Sequence, residues 1–139
     1  MRLWHWKLIP VLPREQLVAQ WRELSSIAGN IKEKGSPNHI LVNPIATYPM
    51  NYFITYAAAV REEMTKRGYR TMDSVWKKIE SVCDDYNIVS LNEIYTDWMN
   101  DEYWLICYYN LKEKWLRGGI KDKDWQKIEE ADEIWRRGI

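Results

Sequence analysis

The residues of this sequence best placed to do chemistry lie on one flank of a predicted helix that begins at Pro13. At about 100° per residue, Glu23 falls roughly 130° from the centre of the apolar stripe, and Gln16 lies two turns earlier on the same flank. That stripe consists of Leu17, Trp21, Leu24 and Ala28. Ala19 and Ser26 are small enough for a ligand or the N-terminal arm to approach the helix backbone. By geometry alone, this pattern is more typical of a solvated helix flank than of an active site.

Histidine and cysteine, the usual catalytic and metal-binding residues, are scarce. The chain has only His5, His39, Cys83 and Cys107, and their spacing fits no zinc motif, so we expect no metal and no cofactor. Both cysteines fall in predicted helices, which favours buried thiols in a reducing compartment over a disulfide. Each histidine could act as an acid–base group or a phosphate donor, although a histidine in a loop or arm is more often structural.

The charge of the whole chain is formally zero, with 20 basic and 20 acidic residues, which at first argues against a nucleic-acid partner. The two halves differ. Residues 1–70 contain ten Lys or Arg and five Asp or Glu, whereas residues 71–139 contain ten and fifteen, so the halves carry +5 and −5. Phosphate contacts need a basic surface, and we therefore expect an anion to bind the N-terminal half.

The apolar periodicity predicts an all-α protein, a single compact domain of about five helices over residues 1–139. Pro10 and Pro13 favour an extended or irregular arm over residues 1–12, which must lie against the rest of the protein because it carries Leu3, Trp4 and Trp6. No segment reaches the roughly 18 uncharged apolar residues of a membrane helix, and the arm lacks the apolar core of a signal peptide. We expect a cytoplasmic monomer.

The helix boundaries follow from proline, glycine and capping signals. Helix 1 is predicted over 13–29, and a loop of about twenty residues follows, long enough to suggest a function. Helix 2 is predicted at about 51–67, with Gly68 as its C-cap. A third helix contains Ile79, and Ser90 with Glu93 forms a capping-box pattern. A longer helix is predicted to end at Gly118, and a last one covers about 124–137.

The stretch LPREQLVAQWRELSSIAG resembles the first helix of the phage-type pyrimidine-dimer DNA glycosylase and AP lyase family, also called endonuclease V of the phage type. Six residues are in step with that helix: Leu12, Leu17, Ala19, Arg22, Glu23 and Leu24. The opening MRLWHWKLIPVLPREQL is similar to bacterial members, as are His39, Val42, Asn43, Tyr48, Pro49 and the segment EEMTKRGY. The ordered set, which spans about residues 1–70, carries the resemblance rather than any single motif.

This resemblance implies an enzyme that acts on double-stranded DNA containing a damaged or abasic nucleotide, with the pyrimidine dimer as the expected lesion. In that family the N-terminal amine attacks the sugar C1′, expels the base and forms a Schiff base, and β-elimination then cleaves the strand. Here the amine is that of Met1, because a residue as large as Arg2 disfavours removal of the initiator methionine. The family's catalytic glutamate falls on Glu23, which would stabilise the cationic imine and handle protons.

An α-amine is chemically suited to this role. Its pKa is near 8, against about 10.4 for a lysine side chain, which gives roughly 300-fold more free base at neutral pH. A carboxylate held nearby would favour the iminium by Coulomb attraction in a partly water-excluded site.

The resemblance also implies which residues contact DNA. Arg2 and Arg22 match positions that hold DNA, and His39 lies in the matched loop. Gln16 stands where the family has a histidine, and Ser26 stands where it has a basic residue. We therefore expect Arg2, Arg22, Gln16 and His39 to contact DNA, while Trp4 and Trp6 either pack in the core or stack on a base.

Three other hypotheses about the function of this sequence remain open. The chain could be a glycosylase and lyase for a different modified base, because residues 71–139 are acidic, rich in tryptophan and unlike the family. It could instead be a catalytically silent module that binds DNA or protein, which the neutral net charge and Ser26 favour. The third hypothesis is that the chain is a structural all-α protein whose resemblance to the family is accidental.

Overall fold

The computed structural model describes residues 1–84 and 86–138. This part of the chain is all-helical, as predicted, and its α-helices are α1 (Arg14–Lys34), α2 (Met50–Lys66), α3 (Asp73–Glu80), α4 (Asp101–Leu116) and α5 (Asp122–Arg136). Short 3-10 helices occur at Trp6–Val11, Asn43–Thr47 and Leu91–Glu93. No helix among these residues is both long and apolar enough to cross a bilayer.

One hydrophobic core joins the arm to all five α-helices, which confirms the single compact domain. Helix α1 packs against α2 and α3, and α4 packs against α5. The 3-10 helix Trp6–Val11 lies against both α2 and α5, so the N-terminal arm joins the two halves of the molecule.

The N-terminal arm is more ordered than the sequence indicated. Residues 1–5 have no regular secondary structure, but Trp6–Val11 forms a 3-10 helix where we expected an extended or irregular segment. The Nδ1 atom of His5 accepts a hydrogen bond from the backbone N–H of Lys7 at 3.1 Å and so caps this helix. Pro10 is tolerated because so short a helix loses only one backbone bond to it. The buried residues of the arm's first five are Leu3, Trp4 and His5.

His5 is a structural residue and does not reach the surface. Its Nε2 lies 2.9 Å from the carbonyl oxygen of Met99, and because Nδ1 accepts from Lys7, Nε2 carries the proton in this bond. The rings of Trp104 and Trp135 lie edge-on to it at 5.3 and 4.8 Å. Burial lowers the pKa of His5 to about 4, so the imidazole is neutral at physiological pH and serves to pack the arm.

Helix α1 extends beyond its predicted end at Gly29. It ends instead at Gly35, which has a φ of 75° and whose N–H donates to the carbonyl of Ile31 at 2.9 Å. Gly29 lies inside the helix, where a Cβ atom would be 3.0 Å from the Nζ of Lys78 on α3. The glycine therefore leaves room for the end of the Lys78 side chain and does not terminate the helix.

Gly68 is confirmed as the residue that ends helix α2. The capping box predicted at Ser90, by contrast, does not begin a long helix. Gly68 has a φ of 81°, and the N–H of Tyr69 donates to the carbonyl of Met64 at 2.8 Å. Ser90 precedes only the three-residue 3-10 helix Leu91–Glu93 and makes no side-chain cap bond. The long helix α4 is capped by Asn100, whose Oδ1 accepts from the Tyr103 N–H at 3.0 Å.

Both halves of the chain contribute buried residues to the core. Trp125 and Ile128 of α5 are buried. Cys83 and Cys107 are free buried thiols, and burial raises the pKa of each to about 11.

Candidate active site

A buried glutamine, Gln20, fixes the N-terminal arm to α1. Its Nε2 donates to the carbonyl of Arg2 at 2.9 Å, and its Oε1 accepts from the backbone N–H of Trp4, also at 2.9 Å. The hydroxyl of Tyr56 on α2 lies 2.8 Å from the same Oε1 and 2.6 Å from the Trp4 carbonyl. Because Gln20 and Tyr56 are both fully buried, this network holds the arm in one position.

Glu23 lies one helical turn after Gln20, with its carboxylate half-buried beneath the arm. The second Nε2 hydrogen of Gln20 is donated to Glu23 Oε2 at 3.0 Å. Burial raises the pKa of Glu23. This rise is opposed most by the charge of the N-terminal ammonium, next by a hydrogen bond from the backbone N–H of Arg2, and then by the charges of Arg22 and His39. The N-terminal amine is thus the nearby charge that acts most strongly on Glu23.

Four of the residues expected at the site act on Glu23 through their charge or a hydrogen bond. No salt bridge joins the amine of Met1 to this carboxylate among the described residues, although the charge of the ammonium acts on it. Arg22 is exposed on the next position of α1, and Arg2 is half-buried in the arm. His39 is half-buried in the loop between α1 and α2, and its charge also acts on Glu23.

The loop between α1 and α2 is held in place by its own hydrogen bonds. His39 Nδ1 accepts from the Leu41 N–H at 3.2 Å, and Asn43 Oδ1 accepts from the His39 N–H at 3.1 Å. Its 3-10 helix Asn43–Thr47 buries Ile45 in the core. The loop therefore presents His39 from a defined position.

Gln16 is not brought to this site, although it shares a helix flank with Glu23. It lines a separate pocket with Arg14, Gly119, Ile120 and other residues at the turn between α4 and α5. Its Oε1 is buried there and has no hydrogen-bond partner among the described residues. Two helical turns, about 10 Å of axial rise, separate it from Glu23.

The tryptophans near the site pack rather than line it. Trp4 and Trp21 are buried in the core, at 8% and 5% exposure. Trp6 is half-buried and lies with Lys7 and Trp135 around an apolar pocket at the opposite end of the arm. Of the two possibilities for Trp4, the structure supports packing.

Three residues that hold the arm were not predicted from the sequence: Gln20, Tyr56 and Tyr103. Gln20 carries a recognisable signal, because it is a polar residue within the apolar stripe, three positions after Leu17 and four before Leu24. The hydroxyl of Tyr103 on α4 donates to the carbonyl of Leu3, and the Arg2 side chain acts on the same hydroxyl. No spacing in the sequence indicates this contact, because Tyr103 lies 100 positions after Leu3.

Comparison with known proteins assigns this chain to a class of enzymes, the DNA glycosylases. A family model described as pyrimidine dimer DNA glycosylase matches residues 1–77, which contain the arm, α1, the loop, α2 and the start of α3. Because this match covers more than half of the 139 residues, the chain belongs to that family. No curated protein and no solved structure matches the chain significantly. Family membership supports a pyrimidine dimer DNA glycosylase-type function and implies DNA binding.

The network predicts that Gln20 is a positioning residue. Replacing Gln20 with leucine removes the bonds to Arg2, Trp4 and Glu23, and we expect the free energy of unfolding to fall by about 2 kcal/mol. Because a small displacement of the amine disrupts the reacting geometry, kcat should fall about 100-fold with little change in KM. Denaturant unfolding and steady-state cleavage of abasic DNA measure the two effects.

A matched control is Gln16→Leu, the same change one turn earlier on α1. It should leave kcat within about threefold of the wild type, because Gln16 does not contact the arm network. A Gln20→Leu protein that is less stable but keeps its kcat would show that Gln20 only supports the fold.

Proposed function

We propose that this protein excises pyrimidine dimers as a DNA glycosylase and AP lyase, with the amine of Met1 as nucleophile and Glu23 as its catalytic partner. The observation that supports the proposal is the Gln20 network, which binds both the arm at Arg2 and the half-buried carboxylate of Glu23, on which the charge of the N-terminal ammonium acts. Membership of the pyrimidine dimer DNA glycosylase family supports the substrate class.

The proposed reaction begins when the lone pair of the Met1 amine attacks C1′ of the damaged nucleotide. The C1′–N bond breaks, and the base leaves with the bonding electrons and gains a proton. Opening of the sugar ring transfers a proton to O4′ and leaves an iminium, the protonated Schiff base, between C1′ and the enzyme. The iminium acidifies the C2′–H bond, and loss of that proton expels the 3′ phosphate and cleaves the strand.

Glu23 is suited to two parts of this sequence. As a carboxylate it stabilises the iminium, and partial burial strengthens that Coulomb attraction. Because burial raises its pKa, it is also a better proton acceptor than an exposed glutamate when the attacking amine must lose a proton. The nearby amine is the strongest charge opposing that rise, which is the coupling expected of a nucleophile and its base.

Arg2, Arg22 and His39 are proposed to hold the DNA around this pair. Arg22 is exposed on α1, and Arg2 and His39 are half-buried in the arm and the loop. The charges of Arg22 and His39 and the backbone N–H of Arg2 all act on the Glu23 carboxylate. Their guanidinium and imidazole groups are donors for phosphate oxygens. The damaged nucleotide must leave the base stack before C1′ can be reached, and contacts on several sides can hold the distorted strand.

A glycosylase for a different modified base is the second candidate. Residues 78–139 lie outside the family match, and α4 contributes Tyr103, which contacts the arm next to Arg2. A divergent helix so close to the site can alter lesion choice while the amine and Glu23 keep the same chemistry.

Nicking of supercoiled plasmid tests the proposed function. The protein should nick ultraviolet-irradiated plasmid and plasmid containing abasic sites but leave intact plasmid supercoiled. Treating the irradiated plasmid with a pyrimidine-dimer photolyase and light before the assay should abolish its nicking. Nicking of the abasic plasmid but not of the irradiated plasmid would favour a glycosylase for a different modified base. Failure to nick either plasmid would contradict the proposal that the protein is an enzyme of this kind.

A further inference from the structure

A second cluster of positive charge lies outside the candidate active site, in a cleft of about 460 Å³ between the start of α1 and α5. We call it the α1–α5 cleft. Two acidic residues, Glu63 and Asp124, also line it. Its basic lining residues are Arg14, Arg67, Lys121, Lys123 and Lys127.

Most of these charges are available to a ligand. Arg67 is not, because it pairs with Glu63 at 2.8 Å and donates to the carbonyl of Leu12 at 2.7 Å. The other four are exposed, and none forms an ion pair within the described ranges. Because Glu63 is paired with Arg67, Asp124 is the remaining acidic residue that lines the cleft, beside four basic residues that form no ion pair within the described ranges. Such an excess, on exposed side chains, is suited to an anion with several phosphates.

The three lysines of the cleft come from the half of the chain that is acidic overall. Residues 121–127, at the N-cap and the first turns of α5, hold three lysines and two aspartates, whereas all three glutamates of this helix fall after residue 128. The net charge of residues 71–139 therefore hid a basic edge at the start of α5. The surface that can bind an anion extends beyond the N-terminal half of the chain.

This basic edge continues to the candidate active site along α1. Arg14 also lines a neighbouring depression with Glu15, Val18 and Arg22, where two arginines outnumber one glutamate, and the charge of Arg22 acts on Glu23. Eight residues of helix separate the two arginines, an axial distance of about 12 Å. At about 3.4 Å per nucleotide of one strand, this equals three or four nucleotides of duplex DNA.

We propose that the α1–α5 cleft binds the phosphate backbone of the substrate duplex, three or more nucleotides to one side of the lesion. This inference rests on the proposed function for the position of the lesion at Glu23. The line of cations through Arg14 and Arg22 favours one continuous polyanion over a separate acidic protein. Lys123 and Lys127 are one turn apart on α5 and can contact the backbone together.

The salt dependence of DNA binding tests this cleft. In the double variant Lys123→Gln and Lys127→Gln, the slope of log K against log salt should fall by about 2, whether or not the duplex carries a lesion. Between 50 and 200 mM salt, the wild type should then lose roughly tenfold more affinity than the variant. The control is Lys66→Gln with Lys77→Gln, two exposed lysines on α2 and α3 outside the cleft, which should keep the wild-type slope.

Removing one flank of the duplex gives a second measurement. Shortening the DNA on the side that reaches the cleft should weaken wild-type binding about as much as the double substitution does, and should not weaken the variant further. Shortening the other flank should affect both proteins equally. Equal salt slopes in the wild type and the variant, or equal sensitivity of both to each flank, would overturn the inference.

These results separate the cleft from the proposed function. A protein that nicks irradiated plasmid but has the same salt slope with and without the two lysines would retain the function and lose the cleft. A protein that nicks neither substrate but shows the reduced slope in the variant would retain the cleft as a DNA site and lose the catalytic proposal.

Discussion

Replacing Glu23 with glutamine should lower the rate constant for strand cleavage at an abasic site by about 100- to 10,000-fold. The substitution keeps the size of the side chain and its contact with Gln20, but it removes the negative charge that stabilises the iminium and the oxygen that accepts a proton. Affinity for the same DNA should change far less, because Arg2, Arg22 and His39 remain. Single-turnover cleavage, with binding measured separately, would show this difference.

The matched control for Glu23→Gln is Glu15→Gln, which removes the same charge from an exposed position two turns earlier on α1. That variant should cleave at the wild-type rate to within about twofold. A Glu23→Gln protein that retains more than a third of wild-type activity would contradict a catalytic role for this carboxylate, whatever the result for Glu15.

Acetylation of the N-terminal amine should abolish both base excision and strand cleavage. The acetyl group converts the amine into an amide and removes the lone pair that attacks C1′. The loss should exceed that of Glu23→Gln, because the nucleophile itself is gone. Plasmid nicking by the acetylated and the unmodified protein measures the effect.

Lys7 is the lysine nearest the N-terminus in sequence and the natural control for this experiment. It is exposed, and its ammonium lies over the rings of Trp6 and Trp135, at 5.7 and 5.3 Å, at the other end of the arm. Lys7→Gln should therefore nick irradiated plasmid normally. Full activity in a homogeneous N-acetylated protein would mean that the nucleophile is not the terminal amine.

The sequence predicted the all-α fold because the apolar spacing of the long helices is clear. It misplaced the end of α1 because glycine has two uses: Gly35 provides a left-handed C-cap, whereas Gly29 provides room for Lys78. Local sequence does not distinguish these uses, because the second depends on a helix about fifty residues later.

The candidate site could be predicted in part. Glu23, Arg2, Arg22 and His39 were named through the family resemblance, and the last three act on the Glu23 carboxylate through charge or a backbone hydrogen bond, while their roles stay predictions. That resemblance could not show that Gln16 faces the turn between α4 and α5, because this turn lies outside the matched segment.

The network that holds the arm depends on tertiary contacts for which the sequence gives only one hint. Gln20 is polar within an apolar stripe, and such a residue must find partners when it is buried. Its partner Tyr56 lies on α2 and Tyr103 reaches the arm from α4, so neither could be assigned from spacing. The basic edge of α5 was hidden because the charge was averaged over a whole half of the chain.

Borohydride trapping of the protein on an abasic duplex, followed by proteolysis and mass spectrometry, tests the central claim most directly. Borohydride reduces a Schiff base to a stable amine and so marks the nitrogen that attacked C1′. We predict a single adduct on the α-amine of the peptide that begins at Met1. An adduct on Lys7 or another lysine, or no adduct under conditions in which the protein cleaves the DNA, would contradict the account.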